Sequence, residues 1–164
     1  MDAVDRARAQ WAAQRPDVDT SGMAVVARVL RLAGLVGHGH EAGLARHDLT
    51  TGEFEVLAAL RRADEPLRAR EIATLTSSPG ATLTKRLDRL HGAGLVERRT
   101  LERDRRGVLV SLSDEGRAVI DAALPEQAAR ERDLLADLTD DERTRLADLL
   151  ARVLETAEAR VLRG

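Results

Sequence analysis

The sequence predicts a mainly α-helical chain with one small β-hairpin, and three observations point there. Apolar residues recur at three- and four-residue spacing over most of the chain, and two Thr-x-x-Glu capping boxes open helices at Thr50 and Thr139. Only the stretch from Leu95 to Leu112 offers two short runs of strand character, joined by a charged connection.

Each element follows from local signals. Residues 3–14 form a short helix around Trp11, closed at Arg15-Pro16 because the residue before a proline is pushed out of the helical region. Asp19, Thr20 and Ser21 can cap a second helix from Met23 to about Ala45, with Val26, Val29, Leu30, Ala33 and Val36 at helical spacing. Gly34, Gly37, Gly39 and Gly43 weaken that helix and suggest close packing against a neighbour. The helix capped by Thr50 and Glu53 ends near Arg62, and another spans about Arg68 to Leu75. Ser78 is an N-cap and Pro79 a first helical residue for the next helix, whose Leu83, Leu87 and Leu90 share a face and which Gly92 or Gly94 ends. Leu95 to Thr100 and Val108 to Leu112 pair as strands around a long basic tip ending in Asp104-Arg105-Arg106-Gly107. A helix begins at Ser113-Asp114-Glu115, which Pro125 kinks or restarts; a restarted segment would run to about Leu138. The last helix repeats Leu146, Leu149, Leu150, Val153, Leu154, Ala157 and Val161, a stripe apolar enough to need a partner.

Composition narrows the functions available. The 164 residues suit one compact domain with a helical appendage; 43% are hydrophobic and 33% charged, as in an ordinary soluble protein. The absence of cysteine excludes disulfides, thiolate metal sites and a cysteine nucleophile. Trp11 and Phe54 are the only aromatics, which argues against stacking of single-stranded nucleic acid. No run reaches the roughly 18 apolar residues of a membrane span and the start lacks the order of a signal peptide, so a cytoplasmic protein away from membranes is expected. Phosphate-binding glycine loops, a nucleophile elbow and a His-Glu-x-x-His helix are all missing, so the chain does not read as an enzyme. His38, His40, His47 and His91 have no carboxylates at ligand spacing, and neither a metal nor a cofactor is expected.

The net charge of −2 conceals an uneven distribution. Residues 77–112 carry Lys85, Arg86, Arg89, Arg98, Arg99, Arg103, Arg105 and Arg106 against Asp88, Glu97, Glu102 and Asp104, a local charge of +4 in an otherwise acidic chain. Three helices followed by a hairpin is the order of a winged helix-turn-helix, whose recognition helix enters the major groove of DNA while the hairpin reaches the adjacent minor groove. Thr82, Lys85, Arg86 and Arg89 lie opposite the leucines and can meet base edges and phosphates, and Ser77, Ser78 and Gly80 bring the helix start close to the backbone. At the hairpin tip Asp104 can orient a guanidinium and Arg106 can enter a narrow minor groove, with Arg105 beside it as a further candidate contact to DNA. A solvated charged face is the bland alternative for each part taken alone.

Leu75 to Leu112, with its Ser-Ser-Pro-Gly-Ala-Thr-Leu-Thr-Lys-Arg-Leu-Asp-Arg-Leu helix and its Asp-Arg-Arg-Gly wing, resembles the MarR family of bacterial transcriptional regulators, and the likeness extends over about residues 22–162. The resemblance implies a homodimer with intertwined terminal helices, a palindromic double-stranded operator and a small-molecule pocket between dimer interface and DNA lobe. The organisation it implies is an extra helix and turn over 1–20, a dimerisation helix over 21–48, a DNA-binding lobe over 49–112 and C-terminal dimerisation helices over 113–164. Leu146, Leu149, Leu150, Val153 and Leu154 would lie in the dimer interface. Gln10-Trp11, Arg15-Pro16-Asp17 and Gly52-Glu53-Phe54-Glu55 are similar to the urate-responsive branch, in which the ligand engages the tryptophan and arginines and displaces an acidic residue. That likeness implies a urate or purine site at Trp11 and Glu55 with Arg86, Arg89 and Arg98 as candidate arginines, although Glu55 stands where the branch has aspartate. From the residues alone, a lone tryptophan on an amphipathic helix is more often a packing contact, and it is the resemblance that places Trp11 near a ligand. The expected function is thus a DNA-binding regulator, a repressor released by a small anionic aromatic effector. A different phenolic or drug-like ligand, or a winged helix that contacts only proteins, is the alternative.

Overall fold

The structure, a computed structural model, describes residues 1–76, 78–101 and 104–161, and of 101, 104–107 and 161 the backbone alone. It contains helices α1 (Ala3–Gln14), α2 (Met23–Leu44), α3 (Thr51–Ala63), α4 (Ala69–Leu75), α5 (Gly80–Gly92), α6 (Asp114–Leu134) and α7 (Asp140–Val161), and strands β1 (Leu67–Arg68), β2 (Val96–Leu101) and β3 (Asp104–Leu112). The fold is mainly α with a small antiparallel sheet in the order β1-β3-β2. Two compact units divide the chain, Met1–Ala123 and Leu124–Gly164.

The core of the first unit is built on α3. Thr50 caps it: the hydroxyl accepts from the Glu53 N–H at 3.3 Å while the Glu53 carboxylate accepts from the Thr50 N–H at 2.8 Å. Behind that cap Val56, Leu57 and Leu60 are buried with Ile72 of α4, with Leu83, Leu87 and Leu90 of α5, and with Val96, Val110 and Ile120. The three leucines of α5 thus occupy the face that their spacing predicts. At the far end of α3, Asp64 adopts a left-handed conformation (φ 52°) and pairs with Arg117 of α6 at 3.3 Å, while Arg61 reaches Asp121 at 2.8 Å. These pairs hold α6 alongside α3.

Several local expectations need correction. The sequence does not reveal β1, because two residues are too few to show alternation; its Leu67 pairs with Val110. The N-cap of α5 is Pro79 rather than Ser78, since Pro79 is extended (ψ 139°) and its carbonyl accepts from Leu83. The N-cap of α2 is Gly22, without a side-chain bond, and Asp19 instead accepts from the Ser21 N–H at 2.8 Å. Asp104-Arg105-Arg106-Gly107 belongs to β3 and not to a long turn: β3 pairs with β2 up to Leu101↔Asp104, with a register shift at Thr100/Leu101. Helix α6 continues through Pro125 and stops at Leu134.

In the second unit, Thr139 and Glu142 form the expected capping box at the start of α7, and the Thr139 backbone and hydroxyl together lower the Glu142 pKa. Along α7, Leu146, Leu149, Leu150, Val153 and Leu154 are all exposed in the single chain, Leu154 by 58%. No helix among the described residues is long and apolar enough to cross a membrane.

Ser113 ties the base of the hairpin to the turn after α5. Its hydroxyl donates to the Gly94 carbonyl at 2.6 Å and accepts from the Gly116 N–H at 2.9 Å, and its N–H donates to the Leu95 carbonyl. Gly94 takes a positive φ of 74°, and a Cβ on Gly116 would run into the Leu95 carbonyl. Gly116→Ala should therefore lower stability by about 2 kcal/mol in urea unfolding, because backbone has to move. Gly92→Ala, which faces open space in a helix, should be neutral or stabilising by up to about 1 kcal/mol. Equal stabilities for the two variants would contradict this packing.

Candidate nucleic-acid interface

Helices α4 and α5 and the β2–β3 hairpin follow one another in the first unit, with α5 seated on the core by Leu83, Leu87 and Leu90. That seating leaves Gly80, Ala81, Thr82 and Lys85 exposed along the N-terminal half of α5. Thr84 bonds its own helix, donating to the Gly80 carbonyl at 3.0 Å. Among the described residues, Lys85 is the cation of α5 that makes neither a hydrogen bond nor an ion pair.

The two arginines of the expected contact face are placed differently from Thr82 and Lys85. Arg86 is half-buried; its Nη1 donates to Ser78 Oγ at 2.7 Å and its guanidinium covers Gly52 in the first turn of α3. Arg89 is half-exposed, yet its Nη1 lies 3.3 Å from Glu53 Oε1, and its Nη2 lies 3.3 Å from the Asp48 carbonyl and 3.4 Å from Asp48 Oδ1. Glu53 is only 3% exposed. Arg98 of β2 pairs with Asp88 of α5 at 2.7 Å, which fastens the hairpin to the helix. Ser77 and the side chains of Asp104, Arg105 and Arg106 lie outside the described residues.

The candidate effector residues belong to four elements, α1, α3, α5 and β2. Trp11 is 49% exposed on α1, and Glu55 is exposed on α3. Of the five, Arg89 lines an open cleft of about 340 Å³, together with Glu41, Ala45, Asp48, Leu49 and Thr50. This volume lies at the lower end of ordinary small-molecule sites. Among the described residues no cluster of three or more histidines and carboxylates could hold a metal. Sequence reasoning missed Gly52, Glu53 and Asp48 as partners of α5. One signal was present, since a glycine at the second position of a helix gives up stability and marks a close approach.

Helix α1 is latched to α2 through Arg28, which donates from Nε to Asp2 at 2.7 Å and from Nη2 to Asp5 at 2.6 Å. The Asp5 N–H and then Arg28 hold the Asp2 carboxyl below its ordinary value, and Arg28 does the same for Asp5. Arg28 is raised in turn, chiefly by Asp5.

A helix set on a core with its N-terminal half outward, preceded by a short helix and followed by a hairpin, defines a winged helix-turn-helix DNA-binding protein. The chain belongs to the MarR family of transcriptional regulators, whose sequence profile matches residues 47–107. It is 37% identical over 146 residues to the HTH-type transcriptional regulator PecS of Dickeya dadantii, with 88% of each chain covered. Its fold is similar to that of a mutant E. coli MarR complexed with operator DNA (TM-score 0.67, 30% identity, 84% of this chain and 99% of that one). It is also similar to BpsR of Bordetella bronchiseptica, whose DNA binding is regulated by 6-hydroxynicotinic acid (TM-score 0.65, 26% identity, 77% and 98%). The relatives are regulators and not enzymes.

The α1 latch has a definite pH dependence. Both carboxyls titrate below the ordinary 3.8, so their contribution is complete above about pH 4 and fades as the pH falls through the lowered folded-state values. Fluorescence of Trp11, the only tryptophan, should change in that acid range. In Arg28→Ala the helix should already be loosened at pH 7; an identical acid titration in this variant would show that Arg28 does not hold α1.

Proposed function

We propose that the protein is a ligand-responsive repressor which binds a palindromic operator as a homodimer in the cytoplasm and is released by a small anionic aromatic effector. The observation that carries the DNA reading is the outward N-terminal half of α5: Thr82 can exchange hydrogen bonds with base edges, and Lys85 is available to a phosphate or a guanine. Gly80, with Ser77 and Ser78 ahead of it, lets the backbone of DNA come close to the helix start. In the wing, Asp104 would orient Arg106 to enter the minor groove, and Arg105 would contact DNA beside it.

Two uncovered apolar helix faces support the dimer. Leu146, Leu149, Leu150, Val153 and Leu154 are exposed on α7, as are Val25, Val26, Val29, Leu30, Leu32 and Leu35 on α2, where Gly34, Gly37 and Gly39 face open space. Large exposed apolar stripes of this kind mark association surfaces.

For the effector, urate or a related purine would stack on Trp11 and meet an arginine fork drawn from Arg86, Arg89 and Arg98, with Glu55 as the acidic residue to be displaced. The cleft beside Arg89 favours a second reading, in which a different small aromatic acid binds; regulation of BpsR by 6-hydroxynicotinic acid supports that chemistry. In either case release requires that the effector bind the DNA-incompetent state more tightly.

Binding to DNA from its own promoter region should weaken with salt, with a log-log slope of several units, and urate should quench Trp11 while releasing the DNA. Lys85→Ala should reduce the slope by about one. Absence of binding even at low salt would overturn the regulator reading. Quenching without release would separate Trp11 from the DNA switch, and release by 6-hydroxynicotinic acid but not by urate would select the second effector.

A further inference from the structure

We infer that Arg86 and Arg89 are positioning residues, which fasten the recognition helix to the first turn of α3 and thereby set the angle at which Thr82 and Lys85 are presented. This rests on the DNA-binding reading above and reassigns two residues that sequence alone places on the DNA.

The two arginines are three residues apart on α5 and therefore lie on neighbouring turns of one face. Both reach the same short segment. Arg86 lays its guanidinium over Gly52, the second residue of α3, and Arg89 pairs with Glu53, the third. Each also holds the chain just before a helix: Arg86 donates to Ser78 ahead of α5, and Arg89 donates to the Asp48 carbonyl ahead of α3. Glu53 is buried, and a buried carboxylate left without a cation is costly, so Arg89 is held in place by that requirement. A guanidinium turned outward to a phosphate would abandon it.

The identity of residue 52 fits this arrangement. An alanine there suits the helix better, yet its Cβ would occupy the space of the Arg86 guanidinium. The glycine is explained by the arginine that lies on it. Lys85, the residue just before Arg86, has no partner among the described residues and faces outward. The division of labour on α5 is therefore that Thr82 and Lys85 face outward, while Arg86 and Arg89 reach back to α3.

Salt dependence separates positioning from contact. An arginine on a phosphate contributes about 0.9 to the log-log slope of binding against salt, and one on a guanine relaxes specificity at a single base pair. A positioning residue changes neither; its loss lowers affinity for the whole half-site. Operator binding by the full-length chain should be measured over a salt series for Arg86→Ala, Arg89→Ala, Gly52→Ala and Glu53→Gln, with circular dichroism and melting to confirm folding. Gly52→Ala retains both arginines and should fold at least as well as the wild type, yet lose about tenfold in affinity with an unchanged slope, the size of one charge-assisted hydrogen bond. Glu53→Gln retains the cap, since glutamine serves in a capping box, and should reproduce the loss of Arg89→Ala although it cannot reach DNA.

A slope lower by about one in Arg86→Ala or Arg89→Ala, or wild-type affinity in Gly52→Ala and Glu53→Gln, would overturn the inference. A wild-type protein that binds no DNA would instead remove the reading on which it rests.

Discussion

The carboxylate of Glu53 is the point on which the DNA-binding lobe is organised. It is buried, it closes the N-terminus of α3 by accepting from Thr50, and its other oxygen receives Arg89 of α5. A charge in that position is tolerated only when its hydrogen bonds and counter-charge are supplied together. The groups that supply them come from two helices, so the requirement of one side chain fixes the relation between α3 and α5. The leucine face of α5 then completes the same packing from its apolar side.

The basic island takes on a different meaning in this light. A local charge of +4 over residues 77–112 suggests a broad cationic surface. In the structure Arg89 is paired with Glu53 and Asp48, Arg98 with Asp88, and Arg86 is folded over Gly52. Much of the charge thus serves to hold the lobe together. Lys85, the single lysine beside 25 arginines, is a compact charge on a flexible stem and has no partner among the described residues.

What could be read from the sequence was what depends on near neighbours. The capping boxes at Thr50 and Thr139, the end of α1 at Arg15-Pro16 and the stripe of Leu83, Leu87 and Leu90 are set by contacts within one or two turns, and all appear as expected. Strand β1 was hidden because Leu67 is a strand residue only by virtue of Val110, far along the chain. The roles of Arg86 and Arg89 were hidden for the same reason: their spacing from Lys85 makes one helical stripe, but which way each guanidinium turns is decided by Gly52 and Glu53. The family was legible in the recognition helix and the wing, whereas the effector residues Trp11, Glu55 and Arg98 are distant in sequence and no local signal joins them.

In the proposed dimer, α5 presents its N-terminal half to DNA in two copies related by two-fold symmetry. Hydroxyl-radical footprinting of the wild-type protein on its own promoter region tests this most directly. Two protected half-sites about one helical turn, ~10 base pairs, apart are expected, each with protection at the adjacent minor groove that the wing would enter. A single undivided patch of protection, or none at low salt, would contradict it.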